Sequence, residues 1–182
     1  MRNIEIEVRS FISRSEYKKL EKILRKEAKF IDSVKEETVY FGVKNKDLRL
    51  RRDNNKAYII LKEGKIHDGS REEIEIRLKK EDFEKIEKLF KRLGYKDEIR
   101  WFRNRRIYKW GDLKVFLDNT KGYGLIVELE KIGTIKNKEK IHKFLEEKIK
   151  SLRIEITPKS IFEKKFKYYK NNWKKILKYG DK

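Results

Sequence analysis

The sequence predicts an α+β fold in which eight antiparallel strands close into a β-barrel with helices packed outside it. Eight segments alternate apolar and polar residues as strands do, and most of them are joined by short connections. Four further segments carry apolar stripes at helical spacing. Short connections favour antiparallel pairing, and eight strands are enough to close a barrel. Helical stripes need an apolar partner, which the outer face of a barrel provides.

The first predicted strand covers residues 4–10, where Ile4, Ile6 and Val8 occupy one face and charged side chains occupy the other. Seven later segments are strand-like runs as well. These predicted strands are residues 37–43, 48–53, 57–62, 71–78, 99–109, 113–118 and 125–131.

The predicted helices cover residues 15–27, 81–93, 137–150 and 158–178. Ser13 or Ser15 is the expected N-cap of the first helix, and Gly94 is the expected stop of the second. Thr157 is the expected cap of the last helix, with Pro158 at its first position. Neither a linker nor a shift in composition separates these segments. We therefore predict a single domain over residues 1–182, with the barrel core at about 1–132 and the C-terminal helices at about 137–178.

Charge is the unusual feature of the composition. The chain has 51 Lys and Arg against 31 Asp and Glu, a net charge of +20, and no Cys. Such an excess attracts polyanions such as nucleotides, polyphosphate or RNA, although Lys-rich and Glu-rich composition is also found in heat-adapted proteins. The lack of Cys excludes disulfides, thiolate metal sites and thiol nucleophiles. No apolar stretch is long enough to span a membrane and no secretory signal is evident, so we predict a cytoplasmic protein without a membrane partner.

The polar faces of the predicted strands are almost purely charged, which is uncommon for faces that meet only solvent. Two placements are open at this point. The charged faces could lie outside around an apolar barrel core, or they could line a wet interior while the apolar faces pack against the helices. An interior of this kind must mix acids and bases, as this sequence does. The charged positions that share faces are Glu5, Glu7 and Arg9; Arg49 and Arg51; Lys62; Arg71, Glu73, Glu75 and Arg77; Arg103 and Arg105; Asp118; and Glu128 and Glu130.

This mixture suits phosphate chemistry. Arg presents a planar fork to phosphate oxygens and Lys presents a compact charge. Mg²⁺ and Mn²⁺ prefer carboxylate oxygens and bridge phosphates. Carboxylates two positions apart on a strand face the same way, so Glu5 and Glu7 could serve one ion, and Glu128 and Glu130 could join them from another strand.

Six segments, taken in order, carry a family resemblance. They are Glu5-Ile-Glu7-Val-Arg9, LRLRR (48–52), AYIILKEG (57–64), SREEIEI (70–76), RNRRIYKWGDL (103–113) and FLDNTKGYGLIVELEK (116–131). Together they resemble the CYTH superfamily of triphosphate tunnel metalloenzymes, whose N-terminal signature is Glu-x-Glu-x-Lys. The resemblance implies an eight-stranded antiparallel tunnel, dependence on Mg²⁺ or Mn²⁺, and a triphosphate substrate.

The resemblance also implies roles by position. Glu5, Glu7 and Glu130 correspond to metal ligands, with Glu128, Asp118 and Glu75 as helpers. Catalytic roles fall to Glu5, Glu7, Arg9 and Glu130, although Arg9 replaces the Lys of the family signature and so keeps its charge but not its shape. The implied phosphate-binding residues are Arg49, Arg51, Lys62, Arg103 and Arg105, together with Arg71, for which a structural ion pair with Glu73 is the alternative.

Members of this superfamily hydrolyse tripolyphosphate, nucleoside triphosphates or thiamine triphosphate, or cyclise ATP, and related tunnels act on RNA 5′ ends. The cyclase branch carries a longer segment with a His-Phe pair between the second and third strands. Here that segment is VKNKD (43–47) without His, which favours hydrolysis. The alternatives are a class IV adenylyl cyclase and a non-catalytic module that binds RNA or polyphosphate. Members of the superfamily are often homodimers, so a homodimer is expected as well.

Overall fold

The computed structural model describes residues 4–44, 46–63 and 73–180, and it leaves out the side chains of Glu63 and Glu73. The strands are β1 (Ile4–Ile12), β2 (Lys29–Val43), β3 (Lys46–Arg52), β4 (Lys56–Glu63), β5 (Glu73–Lys79), β6 (Asp97–Trp110), β7 (Leu113–Thr120) and β8 (Gly124–Gly133). The helices are α1 (Arg14–Glu27), α2 (Phe83–Arg92), α3 (Lys138–Ser151) and α4 (Lys159–Tyr179). Each predicted strand and helix is therefore found, and the main difference is that β2 begins at Lys29 instead of residue 37. Residues 29–33 are all exposed, so no buried face imposes alternation on the start of β2.

The strands form one antiparallel sheet in the order β1-β8-β7-β6-β2-β3-β4-β5. Closure into a barrel is not shown: among the described residues β1 and β5 are the two edges of the sheet, and no pairing joins them. Other groups use the outer edge of β1, since the amide of Phe11 donates to the Thr157 hydroxyl at 2.9 Å. Ser10 donates to the carbonyl of Glu155 at 2.5 Å on the same stretch of β1. The Phe11 bond therefore occupies a backbone amide on an edge that closure would have paired with another strand, and the Ser10 side chain holds the same neighbouring segment.

The same bonds correct the prediction for the start of the last helix. The Thr157 hydroxyl bonds β1, and α4 begins at Lys159. Pro158 therefore precedes the helix instead of being its first residue. The other predicted signals are confirmed, since Ser13 caps α1 and Gly94 follows α2 with a φ of +91°, a left-handed conformation that favours glycine.

Contacts between Cα atoms divide the chain into two compact units. The organisation as a single domain stays a prediction. The first unit comprises Met1–Val34 and Asn104–Lys167, and the second comprises Lys35–Arg103 and Tyr168–Lys182. In the first unit, the apolar faces of β1, β7 and β8 pack against α1 and α3. This core includes Ile6, Val8, Leu117, Val127 and Leu129 of the strands, and Leu20, Leu24, Leu145 and Ile149 of the helices.

The second unit follows the same rule with different elements. Val39, Leu50 and Ala57, from β2, β3 and β4, pack against Phe83 at the start of α2. In both units the helices therefore cover the apolar faces of the strands. This packing confirms one half of the second placement, the packing of the apolar faces against the helices, since the charged side chains alternate to the other face of each strand. A wet interior lined by the charged faces stays a prediction.

Helix α4 contributes to the cores of both units, as predicted from its apolar stripe. In the first unit, Phe162 is buried and stacks on Phe11, with 4.5 Å between ring centroids. In the second unit, Tyr169 is buried beside Trp101 and donates its hydroxyl to the carbonyl of Arg100 at 2.9 Å. No helix in the described ranges has both the length and the apolar character needed to cross a lipid bilayer.

Replacing Ser13 by Ala is expected to lower the free energy of unfolding by about 1 kcal/mol. Ser13 and Glu16 form a reciprocal capping box at the start of α1, and these hydrogen bonds from Ser13 hold the pKa of Glu16 below its ordinary value. Urea denaturation followed by circular dichroism measures the change. Ser15→Ala is the matched control, because Ser15 does not cap α1; equal losses in the two variants would contradict the assigned cap.

Candidate functional site

The carboxylates of the first unit meet across the β1–β8 pair. Glu7 lies directly opposite Glu130, and Arg9 lies directly opposite Glu128. All four belong to the charged faces of their strands. Glu128 and Glu130 are buried, whereas Glu5 and Glu7 are exposed. Like charges directly opposite each other in an antiparallel pair are destabilising unless a cation lies near them.

Lys114 supplies such a cation in this structure. It lies opposite Glu130 in the β7–β8 pair, and its ammonium donates to Oε1 of Glu130 at 3.0 Å. The hydrogen bond to Glu130 raises the pKa of Lys114 against the opposing effect of burial, and the charge of Glu5 adds to the increase. Sequence reasoning missed Lys114, although its spacing of two and four residues from Phe116 and Asp118 places it on the charged face of β7.

Arg105 is held on the same face by an acid and an aromatic ring. Its Nε and Nη2 donate to the two oxygens of Asp118, each at 2.7 Å, and its Nη2 lies 3.5 Å from Oε1 of Glu128. The guanidinium carbon lies 4.2 Å from the centroid of Phe116. The resemblance implies a metal-helper role for Asp118, but in this geometry Asp118 orients Arg105 through a bidentate pair.

In the second unit, Arg49 has the same kind of support. Its Nε donates to Oδ1 of Asp47 at 2.8 Å, its Nη2 contacts the other oxygen, and its guanidinium lies 4.7 Å from the ring centroid of Tyr40. Asp47 is buried. It was not among the predicted site residues. Its spacing of two residues from Arg49 was the available signal.

Arg51 lies between an aromatic ring and an acid as well. Its guanidinium lies 4.8 Å from the ring centroid of Tyr58 and 3.3 Å from Oε2 of Glu75. Glu75 also contacts Arg77 at 3.6 Å. Glu75, expected as a metal helper, therefore pairs with two guanidinium groups in this structure.

The remaining predicted residues are partly buried or lie outside the described ranges. Arg103 donates from Nε to Glu36 at 2.7 Å within the second unit. Lys62 is partly buried and lies opposite Asp47 in the β3–β4 pair. In the first unit, Arg9 lies 4.8 Å from the ring centroid of Phe162. Arg71 lies outside the described residues, as does the side chain of Glu73.

The predicted site residues thus divide between the two units. The first contains Glu5, Glu7, Arg9, Arg105, Asp118, Glu128 and Glu130, and the second contains Arg49, Arg51, Lys62, Glu75 and Arg103. Four arginines share one arrangement, in which a carboxylate fixes part of the guanidinium: Arg49, Arg51, Arg103 and Arg105. Such pairing orients a guanidinium.

The chemistry of the carboxylates fits a hard divalent cation, although their present side-chain positions do not form a finished cage. Glu7 and Glu130 have oxygen donors of the type that Mg²⁺ and Mn²⁺ prefer. Directly opposed residues have Cβ atoms about 4.5–5.5 Å apart, within the reach of two carboxylates to one ion. In the part of the chain that the structure describes, no group of three or more His, Asp or Glu side chains is gathered as a metal site.

The two histidines add nothing to this arrangement. His142 is exposed on α3, 3.6 Å from Glu146, and His67 lies outside the described residues. Trp101 and Trp110 are packing residues, the first beside Tyr169 and the second against the core of the first unit.

Comparison with known proteins identifies the family. The model of the CYTH domain matches residues 3–160. A protein of Methanocaldococcus jannaschii, named "putative adenylate cyclase", is 33% identical over 159 residues that cover 83% of this chain and 90% of the relative. A Pyrococcus horikoshii protein of known structure is 29% identical with a TM-score of 0.67, over 86% of this chain and 96% of that one.

A Hippeastrum protein extends the likeness in fold. It is 21% identical with a TM-score of 0.65, over 89% of this chain and 94% of its own, and is described as a "putative adenylyl cyclase" with a dominant triphosphatase activity. At this identity the likeness concerns the fold alone. The family match over nearly the whole chain is decisive, and it agrees with the resemblance carried by the strand motifs: this chain belongs to the CYTH domain family.

Proposed function

We propose that this protein is a divalent-metal-dependent triphosphatase that cleaves tripolyphosphate or the terminal phosphate of a nucleoside triphosphate. One observation carries the proposal. Two carboxylates, Glu7 and Glu130, oppose each other on the strand face where Asp118 and Phe116 both contact the guanidinium of Arg105. A metal-binding acid pair beside an oriented guanidinium suits a phosphoanhydride, which carries negative charge and accepts bidentate hydrogen bonds.

The arginines bind and orient the phosphates in this proposal. Arg105 has this role in the first unit, and Arg49 and Arg51 are each assigned phosphate binding within the second unit taken by itself. Each guanidinium is partly fixed by a carboxylate and lies over a ring, so little side-chain freedom remains to be lost when a phosphate oxygen binds. Oriented donors of this kind stabilise the charge that the departing phosphate groups develop.

Glu7 and Glu130 would hold the metal ion, and Glu5 and Glu128 are further carboxylates two residues along the same strand faces. The cation, when bound, offsets phosphate charge and makes a water molecule acidic enough to attack at neutral pH. Phosphoryl transfer depends mainly on position and charge. The site therefore needs no Ser, Cys or His nucleophile.

The choice of hydrolysis over cyclisation rests on the β2–β3 connection. Val43 pairs with Lys46, so two residues separate the last paired positions, and residues 43–47 contain no His. Cyclisation needs the 3′-oxygen of a ribose held in line with the α-phosphate, which requires a dedicated nucleoside pocket. The name of the Methanocaldococcus jannaschii relative favours the alternative, an adenylyl cyclase that forms cyclic AMP and pyrophosphate from ATP.

Phosphorus NMR of separate incubations with tripolyphosphate and ATP, each with Mg²⁺ or Mn²⁺, tests the proposal. Orthophosphate with pyrophosphate from the first substrate, or with ADP from the second, is the expected result. Cyclic AMP with pyrophosphate would replace the proposal by the cyclase. Thiamine triphosphate and RNA with a 5′ triphosphate complete the substrate panel. If no triphosphate is turned over and RNA or polyphosphate binds with a steep salt dependence, the protein is a binding module instead.

A further inference from the structure

We propose that Lys114 is an internal cation that takes the place of the metal ion beside Glu130 and Glu7 in the metal-free protein, and that metal binding displaces it. The inference rests on the proposed function, since it concerns the same pair of carboxylates. Its consequence is that Lys114 weakens metal affinity while it stabilises the metal-free fold.

The register of three neighbouring strands carries the argument. Lys114 of β7 lies opposite Glu130 of β8, and Glu130 lies opposite Glu7 of β1. The three residues therefore form one row across the sheet, on one face. The Lys114 ammonium is 3.0 Å from Oε1 of Glu130, an oxygen that a metal ion bound there would use. One oxygen can serve the ammonium or the metal ion as its main partner, so the two cations compete.

Lys114 is also able to leave. Its side chain is 53% exposed, whereas that of its partner Glu130 is 9% exposed. A Lys stem is flexible and keeps its charge in water when its head group moves outward. Arg105 differs in this respect, because Asp118 and Phe116 hold its guanidinium on two sides. Arg105 is thus a fixed cation of this face, and Lys114 is a displaceable one.

Titration of the full-length protein with Mn²⁺ alone tests the proposal, with free Mn²⁺ measured by electron paramagnetic resonance. Lys114→Met is expected to bind Mn²⁺ about tenfold more tightly than the natural protein, since a positive charge next to the ion is removed. Lys114→Arg keeps the charge and should bind much as the natural protein does. Lys131→Met is the matched control: Lys131 follows Glu130 in sequence but pairs with Asp112 on the helix-covered side, so its loss should change affinity less than about twofold.

Thermal unfolding supplies a second readout. Without metal, Lys114→Met is expected to unfold at a lower temperature than the natural protein, because Glu7 and Glu130 lose their cation. With saturating Mn²⁺ the order is expected to reverse, since a ligand that binds more tightly stabilises more. A lysine with a merely structural role would lower the midpoint under both conditions.

The failures of the two proposals are distinguishable. If the natural protein binds Mn²⁺ and Lys114→Met binds it no more tightly, the inference is overturned and the metal site stands. An equal gain in Lys131→Met would trace the effect to net charge and overturn the inference as well. If none of these proteins binds Mn²⁺, the metal site itself fails, and the inference fails with it.

Discussion

Glu7→Gln is expected to reduce kcat/KM for tripolyphosphate by more than about 100-fold. Glu7 is a proposed metal ligand, and loss of a ligand should exceed the 10- to 100-fold effect of mutating a residue that only hydrogen-bonds to a ligand. Glutamine keeps the shape of the side chain and removes its charge. The free energy of unfolding should not fall, since Glu7 is exposed and opposes another carboxylate. Lost activity with unchanged or increased stability would identify Glu7 as a functional residue.

Steady-state kinetics with Mn²⁺ and urea denaturation without metal measure the two halves of this prediction. Glu139→Gln is the matched control, because Glu139 is an exposed acid in the first turn of α3, on no charged strand face. Its kcat/KM should stay within about twofold of the natural protein. Retention of full activity in Glu7→Gln would exclude Glu7 as a ligand, and a matching loss in both variants would point to net charge.

The sequence allowed the strands, the helices and the division of each strand into two faces to be predicted. Alternation at Glu5, Glu7 and Arg9 places these residues on one face whatever lies beside them, because side chains along a strand repeat every two residues. The packing of the opposite face against helices could also be expected from the apolar stripes of α1, α2 and α3.

The pairing register between the strands could not be predicted. Glu7 and Glu130 lie opposite each other on β1 and β8, the first and last of the described strands along the chain. Periodicity within either strand does not fix which of their residues pair. Lys114 was missed for this reason, since one more Lys in a chain of 51 Lys and Arg is unremarkable until its partner across the strand pair is known. The expected closure of the sheet also depended on which strands pair at its edges, which periodicity does not fix. The hydrogen bonds between β1 and residues 155–157 could not be predicted either, because that segment has no strand periodicity.

The acids that orient the arginines illustrate a second limit. Sequence similarity assigned Asp118 and Glu75 to metal binding, because a carboxylate near a phosphate site fits that role as well as any other. Only the contacts show Asp118 accepting from both Nε and Nη2 of Arg105, and Glu75 beside Arg51. Side-chain type therefore predicts that acids and bases share a face, and geometry decides which of them pair.

Asp118→Ala is expected to lower the free energy of unfolding by about 3 kcal/mol, the cost of breaking a buried ion pair from one side. Asp118 is 3% exposed and its removal leaves the largely buried Arg105 without its bidentate acceptor. The expected cost is no larger because Glu128 remains 3.5 Å from Nη2 of Arg105 and still offsets part of its charge. Urea denaturation measures the loss, and Asp112→Ala is the control. Asp112 pairs with Lys131 but is 67% exposed, so its removal should cost less than about 1 kcal/mol.

Two further measurements separate the assigned role of Asp118 from that of a metal ligand. If Asp118 orients Arg105, Asp118→Asn should raise KM for tripolyphosphate while the Mn²⁺ dissociation constant stays within about threefold, because the amide keeps the shape but loses the charged acceptor. A metal ligand would show the reverse, with weakened Mn²⁺ binding as the first effect. The double variant Arg105→Met with Asp118→Leu should regain most of the lost stability, since apolar side chains often replace a buried ion pair without cost. That variant should remain inactive, because the oriented guanidinium is gone.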